Sequence, residues 1–432
     1  MPSVFTLSLG CSKNRVDSER FLGILHEAGY RGTQDPRGAD LCVVNTCGFL
    51  QSAVAENLDA ILDLERMKER GEVGRIAVVG CLVNRYEAEL RAELPTVDLL
   101  ARAEDWEGFR RFLGVPRSSG CRMVLPGGDR FVRYLKVAEG CDNRCSYCMI
   151  PSIRGPLRSL PLRDLVREAE ALVAEGAREI CLVAQDLTAY GLDRGGRESL
   201  TDLLDALEPS LPGDVFLRLL YLHPERITTA LLERVAKSPQ IHSYLDVPVQ
   251  HASPRILAAM GRPSDPETLA RLFETARSID PDFALRTTVM VGFPQETEAD
   301  LSVLLRFLER VRFDRIGAFS FSPEEGAPAA TLPHPVRPST ARRRLERVMD
   351  LGASLSFRRQ RLFEGRLLSV LVERVEEGVV EGRSFREAPE VDGVVEIRGG
   401  DALLPGQRVS VRILEALEHD LIGRYEQEEE QA

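Results

Sequence analysis

The sequence predicts an α/β protein with three parts: an N-terminal parallel α/β domain, a central partial β/α barrel and a C-terminal small all-β barrel of the OB-like kind. Apolar runs of strand length alternate with helical patterns in residues 1–118, and the alternation restarts with six more runs in residues 130–362. In residues 363–428 five short β-rich runs alternate instead with Gly, Asp and Pro. With 432 residues, of which 44% are hydrophobic and 28% charged, the chain can bury large cores.

Three cysteines follow the predicted strands of the N-terminal domain. Each of its apolar runs ends in a short turn that carries Cys11, Cys47 or Cys81. The helical patterns that follow these runs span 15–28, 49–69 and 84–92. Because the carboxyl ends of parallel strands meet at one edge of a sheet, the three cysteines are expected to converge on one site. The alternative is three unrelated buried thiols, which the threefold repetition of the arrangement makes the weaker interpretation.

Cys141, Cys145 and Cys148 form a tight C-x3-C-x2-C motif. Three thiolates on one short loop can hold three corners of a [4Fe–4S] cluster, which leaves the fourth iron open to a small molecule. The alternative is a zinc site in a binding protein without turnover. A structural zinc site needs four ligands, and the nearest histidines in the sequence are His26 and His223, so zinc is the less favoured interpretation.

The composition limits the class of protein. The net charge of −11 argues against a chain held to nucleic acid by bulk electrostatics. No apolar run approaches the ~18–20 residues of a membrane span, and the N-terminus is too polar for a secretory signal. We therefore expect a soluble, cytoplasmic protein without a membrane partner. Cys42, Cys121 and Cys181 stand alone among apolar neighbours and are interpreted as structural.

The central barrel is expected to carry its chemistry at the carboxyl ends of its strands. The tight cysteine motif follows the first of six apolar runs. Polar residues follow four others, at Gln185-Asp186, His223, Gln250-His251 and 292–297. Each could be a cap or turn residue, but together they form the rim that an active site requires.

The two cysteine motifs and the order of the three predicted domains resemble those of a known family. The tight motif, with Tyr147 directly before Cys148, resembles the cluster loop of radical S-adenosylmethionine (SAM) enzymes. With the three-cysteine domain before it and a barrel resembling the TRAM domain after it, the whole chain is similar to the methylthiotransferases of that superfamily. The resemblance implies SAM and two [4Fe–4S] clusters. The implied ligands are Cys141, Cys145 and Cys148 for the first cluster and Cys11, Cys47 and Cys81 for the second. The implied domains are a methylthiotransferase domain holding the second cluster (1–118), a radical SAM core (130–362) and a TRAM domain (363–428).

Two branches of this family differ in substrate. Segments 10–19, 45–49 and 388–393 look like the branch that adds a methylthio group to the β-carbon of an aspartate of ribosomal protein S12. The alternative is a tRNA adenosine methylthiotransferase (MiaB-like). Residues 364–432 contain 17 acidic and 8 basic residues, which suits a basic ribosomal protein better than tRNA phosphates. The alternative is that the acidic residues of this segment only keep the protein soluble.

The resemblance also implies contacts to SAM from Tyr147, Gln185, Asp186 and Arg286, and an electron from a reductant protein of unknown identity. No acid–base catalytic residue is assigned, because the target is an unactivated C–H bond and the cofactors carry that chemistry. Arg154 and Arg158 could hold an acidic substrate group or anchor the cysteine loop. Gln250 and His251 are further rim residues whose role stays open.

Overall fold

The computed structural model describes residues 1–116, 122–125, 128–400 and 402–427. The chain forms two compact units. One consists of Met1–Arg130, Ala138–Asn143 and Cys148–Arg158, and the other of Phe131–Val137, Arg144–Tyr147 and Ser159–Ala432. Cys121 lies outside the described residues. Among the helices of the described segments, none combines the length and the hydrophobicity that a membrane span requires.

The first unit contains a five-stranded parallel sheet of order β2-β1-β3-β4-β5. The strands are β1 (Ser3–Ser8), β2 (Arg31–Thr33), β3 (Leu41–Thr46), β4 (Arg75–Gly80) and β5 (Leu99–Ala101). The helices are α1 (Ser12–Glu27), α2 (Gln51–Glu69), α3 (Cys81–Glu93) and α4 (Trp106–Leu113). The central strands β3 and β4 are buried on both faces, which explains their continuous apolar sequence. The predicted parallel α/β domain is therefore confirmed, with two short edge strands added.

The second unit contains six parallel strands that follow one another in chain order. They are β6 (Val132–Lys136), β9 (Glu179–Val183), β10 (Phe216–Leu219), β11 (Tyr244–Asp246), β12 (Ala284–Val291) and β13 (Arg315–Ser320). They form two three-stranded sheets, joined by a bridge between Leu217 and Ile241. The helices of this part are α6 (Leu162–Ala174), α7 (Leu200–Leu207), α8 (Thr229–Lys237), α9 (Pro254–Ala259), α10 (Pro266–Ile279), α11 (Glu298–Val311) and α12 (Pro338–Gln360). This is the predicted partial β/α barrel.

Short elements flank the tight cysteine motif. They are β7 (Ala138–Glu139), α5 (Ile150–Arg154) and β8 (Arg158–Ser159). The motif itself is an irregular loop between β7 and α5. Its three cysteines therefore sit on loop backbone, as a ligand loop requires.

The C-terminal part of the second unit is a closed five-stranded barrel of order β14-β15-β16-β18-β17. Its strands are β14 (Leu367–Glu376), β15 (Val379–Arg383), β16 (Val395–Arg398), β17 (Arg408–Ala416) and β18 (Leu421–Tyr425). All five predicted strands are present. Because the sheet closes into a barrel, it has no long edge strand with unpaired backbone groups, and its strands need no pairing with another sheet.

The end of β15 and the segment after it pack against the β/α barrel through buried charges. Arg383 pairs with Glu179 at 3.2 Å, and Arg386 pairs with Asp314 at 3.1 Å. All four side chains are buried, and a buried ion pair that loses one partner leaves a costly unpaired charge. These pairs therefore fix the C-terminal barrel on the strands of the central one.

His242 lies beside these ion pairs and is held neutral. Its ring stacks on Phe216 with the ring centroids 5.0 Å apart, and its Nε2 lies 3.7 Å from Glu179. Burial, assisted by the charge of Arg218, lowers the pKa of His242 from 6.5 to about 4. Because this pKa is lower in the folded than in the unfolded chain, unfolding takes up a proton in that interval. The stability contributed by His242 is therefore lost as the pH falls from about 6.5 to about 4.

We expect acidification from pH 7 to pH 5 to lower the free energy of unfolding by about 2 kcal/mol through His242 alone. The measurement is the thermal midpoint of the apoprotein at both pH values. His242→Gln should show a smaller drop than the native chain, and the exposed His26→Gln the same drop as the native chain. Equal drops in all three proteins would contradict this prediction.

Candidate active site

The three N-terminal cysteines lie at the carboxyl ends of adjacent strands. Cys11 precedes α1 after β1, Cys47 directly follows β3, and Cys81 is the first residue of α3 after β4. Burial raises the pKa of the Cys81 thiol to about 11, and although nearby Arg154 lowers it, Cys11 and Cys47 add to the rise. The structure therefore places the three cysteines at one edge of the sheet, as expected from the strand pattern.

Glycines allow the three cysteine-bearing turns to touch. A Cβ on Gly10, whose φ is +114°, would lie 3.1 Å from the Cβ of Cys47. A Cβ on Gly48 would lie 2.7 Å from the carbonyl oxygen of Cys81. A Cβ at Gly48 would come closer to a backbone oxygen than real Cβ atoms do, and the φ of Gly10 is one that residues with a side chain rarely adopt. The close packing of the turns therefore depends on glycine at both positions.

Arg154 forms a buried centre of hydrogen bonds beside these cysteines. Its Nε donates to the Sγ of Cys81 at 3.1 Å. Its Nη1 donates to Asp17 at 2.9 Å and to Glu139 at 3.2 Å, and its Nη2 to Asn14 at 2.6 Å. Burial alone would lower the pKa of Arg154, but Asp17, Cys81 and Glu139 outweigh it and hold that pKa well above its ordinary value. Of the two roles open from sequence, these contacts favour the anchor.

The tight cysteine loop is fixed at both ends. The backbone N–H of Cys141 donates to the carbonyl oxygen of Gly155 at 3.1 Å, and that of Ile150 to the Sγ of Cys148 at 3.5 Å. Gly140, with φ +70°, leaves no room for a Cβ beside Pro156. An N–H group directed at a cysteine sulfur stabilises a thiolate ligand, so this donor set fits an iron–sulfur cluster.

The middle of the same loop rests on the turn that ends α9. The hydroxyl of Ser146 donates to the carbonyl oxygen of Ala259 at 2.7 Å. The backbone N–H of Ser146 donates to the carbonyl oxygen of Met260 at 2.9 Å. A Cβ on Gly261 would lie 2.6 Å from the carbonyl oxygen of Arg144. This turn therefore holds the loop closely at the residues before Tyr147.

Tyr147, one of the predicted SAM contacts, pairs with a residue that the sequence did not reveal. Arg262 donates from Nη1 to the hydroxyl of Tyr147 at 3.2 Å. Burial lowers the pKa of Arg262, but Tyr147, Cys145 and Asp186 outweigh it, so that this pKa is raised. Arg262 thus lies beside Tyr147 of the tight cysteine loop. Arg262 belongs to no recognisable motif, so only the fold could identify it.

The carboxylate of Asp186 is fixed in the turn after β9. It accepts hydrogen bonds from Arg226 at 2.7 Å and from Thr188 at 2.6 Å. The backbone N–H of His223, after β10, donates to the hydroxyl of Thr188 at 3.1 Å. Burial and then Arg262 lower the pKa of His223 to about 4, while Asp186 opposes them. Gln185 is half-buried in the same turn. The two strand ends therefore meet at one polar cluster, as a barrel rim predicts.

Arg286, the fourth predicted SAM contact, has other partners. It pairs with Asp246 at 3.0 Å and with Asp392, which precedes β16, at 3.3 Å. The hydroxyl of Tyr244 also donates to Asp392 at 2.6 Å. These contacts give Arg286 a part in attaching the C-terminal segment. Its contact with SAM stays a prediction, which these ion pairs do not favour.

Gln250 and His251 hold a backbone turn in place. The Nδ1 of His251 accepts hydrogen bonds from the backbone N–H groups of Ala252 and Ser253, both at 2.9 Å. The backbone of Gln250 bonds to both Thr288 and Met290 of β12. Both residues are buried, so their contacts indicate a structural role.

Within the part of the chain that the structure describes, no group of three His, Cys, Asp or Glu side chains is arranged to hold a single metal ion. Zinc would need four ligands around one point, whereas a cubane cluster binds each thiolate at a different iron atom. The N–H donors directed at Cys81 and Cys148 suit sulfur ligands that carry negative charge, as in an iron–sulfur cluster.

Comparisons with protein families match all three parts of the chain. Residues 3–101 match the uncharacterized protein family UPF0004, residues 135–308 the radical SAM superfamily, and residues 365–425 the TRAM domain. Among solved structures, the radical S-adenosylmethionine methyltransferase TsrM from Kitasatospora setae has a TM-score of 0.53 at 15% identity, covering 76% of this chain and 74% of that one. At that identity the likeness concerns the fold alone, and it agrees with the predicted fold class.

Curated relatives match nearly the full length. "Ribosomal protein uS12 methylthiotransferase RimO" of Anaeromyxobacter sp. (strain Fw109-5) is 45% identical over 97% of this chain and 92% of its own. The protein of the same name from Desulforudis audaxviator (strain MP104C) is 44% identical over 97% of this chain and 96% of its own. The chain therefore belongs to the RimO family of uS12 methylthiotransferases within the radical SAM superfamily.

Proposed function

We propose that this protein is a radical SAM methylthiotransferase that adds a methylthio group to the β-carbon of an aspartate of ribosomal protein S12. The observation that carries the proposal is the near full-length match to proteins named uS12 methylthiotransferases, and the hydrogen bond between Arg154 and Cys81 supports it. Arg154 follows the tight cysteine loop by six residues, and Cys81 belongs to the N-terminal trio. Two cysteine motifs with separate tasks in one reaction need to be neighbours, and this contact supports that arrangement.

The superfamily implies SAM and one [4Fe–4S] cluster; we propose a second cluster on Cys11, Cys47 and Cys81. When bound, these groups would supply a carbon radical able to take a hydrogen atom from an unactivated C–H bond, and the sulfur that replaces it. Cys141, Cys145 and Cys148 would hold the cluster that binds SAM. The chain's own contribution is to position these groups.

The residues around Arg262 are the proposed SAM site. The hydrogen bond from Arg262 fixes the Tyr147 ring next to the cysteine loop, where it would contact the adenine. Asp186, held by Arg226 and Thr188, and Gln185 beside it would face the ribose or the methionine end. The fixed carboxylate and ring reduce the side-chain freedom that is lost when a ligand binds.

The acidic C-terminal module supports a basic protein as the substrate. Residues 364–432 contain more than twice as many acidic as basic residues. Such a surface repels tRNA phosphates and attracts ribosomal proteins, most of which are basic. A ribosomal substrate would place the enzyme in the cytoplasm, and a separate reductant protein would supply its electrons.

The test is a reaction with purified substrates. The protein, with its clusters rebuilt without oxygen, is incubated with SAM and a chemical reductant, and with S12, small ribosomal subunits or tRNA. Mass spectrometry should find a methylthio group in place of one hydrogen on an aspartate of S12, free or ribosomal, and Cys141→Ala should yield none. Modified tRNA together with unmodified S12 would contradict the proposal.

A further inference from the structure

We propose that Arg154 is a positioning residue for the N-terminal cluster, and that its guanidinium raises the reduction potential of that cluster by donating a hydrogen bond to Cys81. The inference rests on the proposed function, because it assumes a cluster on Cys11, Cys47 and Cys81. Beyond that function, the inference assigns a role to Arg154, which would act on the cluster through the sulfur of Cys81.

The orientation of Arg154 is fixed by acceptors on every side. The Nε atom lies 3.1 Å from the Cys81 sulfur, while both terminal nitrogens are engaged by Asp17, Glu139 and Asn14. The side chain is only 1% exposed. The guanidinium cannot turn away from the sulfur without breaking several buried hydrogen bonds, each of which is costly to lose.

The charge of Arg154 faces a sulfur that would carry negative charge. Hydrogen bonds to ligand sulfurs and the net charge nearby both set the potential of an iron–sulfur cluster. Without the guanidinium, the Cys81 sulfur would lose a donor, and Asp17 and Glu139 would lose the cation that balances them. Both changes disfavour an added electron, so the potential would become more negative.

The same short segment also anchors the tight cysteine loop. Gly155, next to Arg154, accepts the backbone hydrogen bond of Cys141. Ile153, on the other side, accepts a hydrogen bond from Asn84 of α3 at 2.8 Å, and α3 begins at Cys81. Residues 153–155 therefore link the turn of one proposed cluster ligand to the turn of another.

The experiment isolates the N-terminal cluster by replacing Cys141, Cys145 and Cys148 with Ala. In this background we compare Arg154 with Arg154→Lys and Arg154→Met, and measure the midpoint potential by a redox titration followed by electron paramagnetic resonance. We expect the Met variant to shift to a more negative potential and the Lys variant to shift less. Arg158→Met is the matched control, because Arg158 is exposed and pairs with Glu104, and it should leave the potential unchanged.

An unchanged potential in an Arg154→Met protein that still binds about four iron atoms would overturn the inference and leave the proposed function intact. A triple-Ala background that binds no iron would instead show that the N-terminal cluster is absent, which refutes both.

If Arg154→Met does not fold, the test uses the triple-Ala protein with its native Arg154, labelled with 15N-arginine. Its reduced cluster should show a magnetic coupling to a guanidinium nitrogen, and the absence of that coupling would overturn the inference.

Discussion

Cys141→Ala is expected to abolish the cleavage of SAM while leaving the N-terminal cluster in place. The loop supplies only three thiolates, so the loss of one leaves two ligands for a cluster that already has one open iron. Production of 5′-deoxyadenosine should fall to background, and the iron content of the reconstituted protein should fall by about half. Liquid chromatography of the products and iron analysis of the same sample provide the two measurements.

Cys42→Ala is the matched control for this experiment. Cys42 is a buried cysteine within β3 that packs in the apolar core of the N-terminal sheet and belongs to neither cysteine trio. Its replacement should keep the full iron content and full SAM cleavage. Native amounts of 5′-deoxyadenosine from Cys141→Ala would show that the tight loop does not hold the SAM-binding cluster.

Cys47→Ala is expected to separate the two halves of the reaction. The tight loop keeps its three cysteines, so SAM cleavage should continue. Methylthiolated S12 should fall to background, because the N-terminal site would have lost one of its three ligands. Cys47 is preferred to Cys81 for this test, since Cys81 also bonds to Arg154 and its loss would disturb the neighbouring segment.

The two products of the Cys47→Ala protein are measured in one reaction, by chromatography for 5′-deoxyadenosine and by mass spectrometry for S12. Loss of both products would indicate that the variant has damaged the tight loop or the fold. Full methylthiolation by Cys47→Ala would mean that the N-terminal cysteines are structural and that the sulfur comes from elsewhere.

Most of the fold could be predicted from the sequence because most strands lie in apolar runs that turn residues bound on both sides. The runs at the centre of each sheet and all five strands of the C-terminal barrel were found within a few residues. The edge strands β2 and β5 were not, because each has only three residues and so short a run carries no readable period.

The cysteines of the candidate site were predictable because a local pattern marks them: a tight spacing in one motif and strand ends in the other. The charged residues around them were not. Arg154 reaches Asn14 across 140 positions and Arg262 reaches Tyr147 across 115, and only tertiary packing decides such pairs. For the same reason the ion pair of Arg286 with Asp392, which lies 106 residues away, could not be predicted from the sequence.

We propose that each of the two cysteine trios holds a [4Fe–4S] cluster. This proposal is tested most directly by iron and sulfide analysis, with Mössbauer spectroscopy, of the native chain reconstituted without oxygen. We expect about eight iron and about eight sulfide per chain, all in [4Fe–4S] clusters. About four of each, or zinc in place of iron, would contradict it.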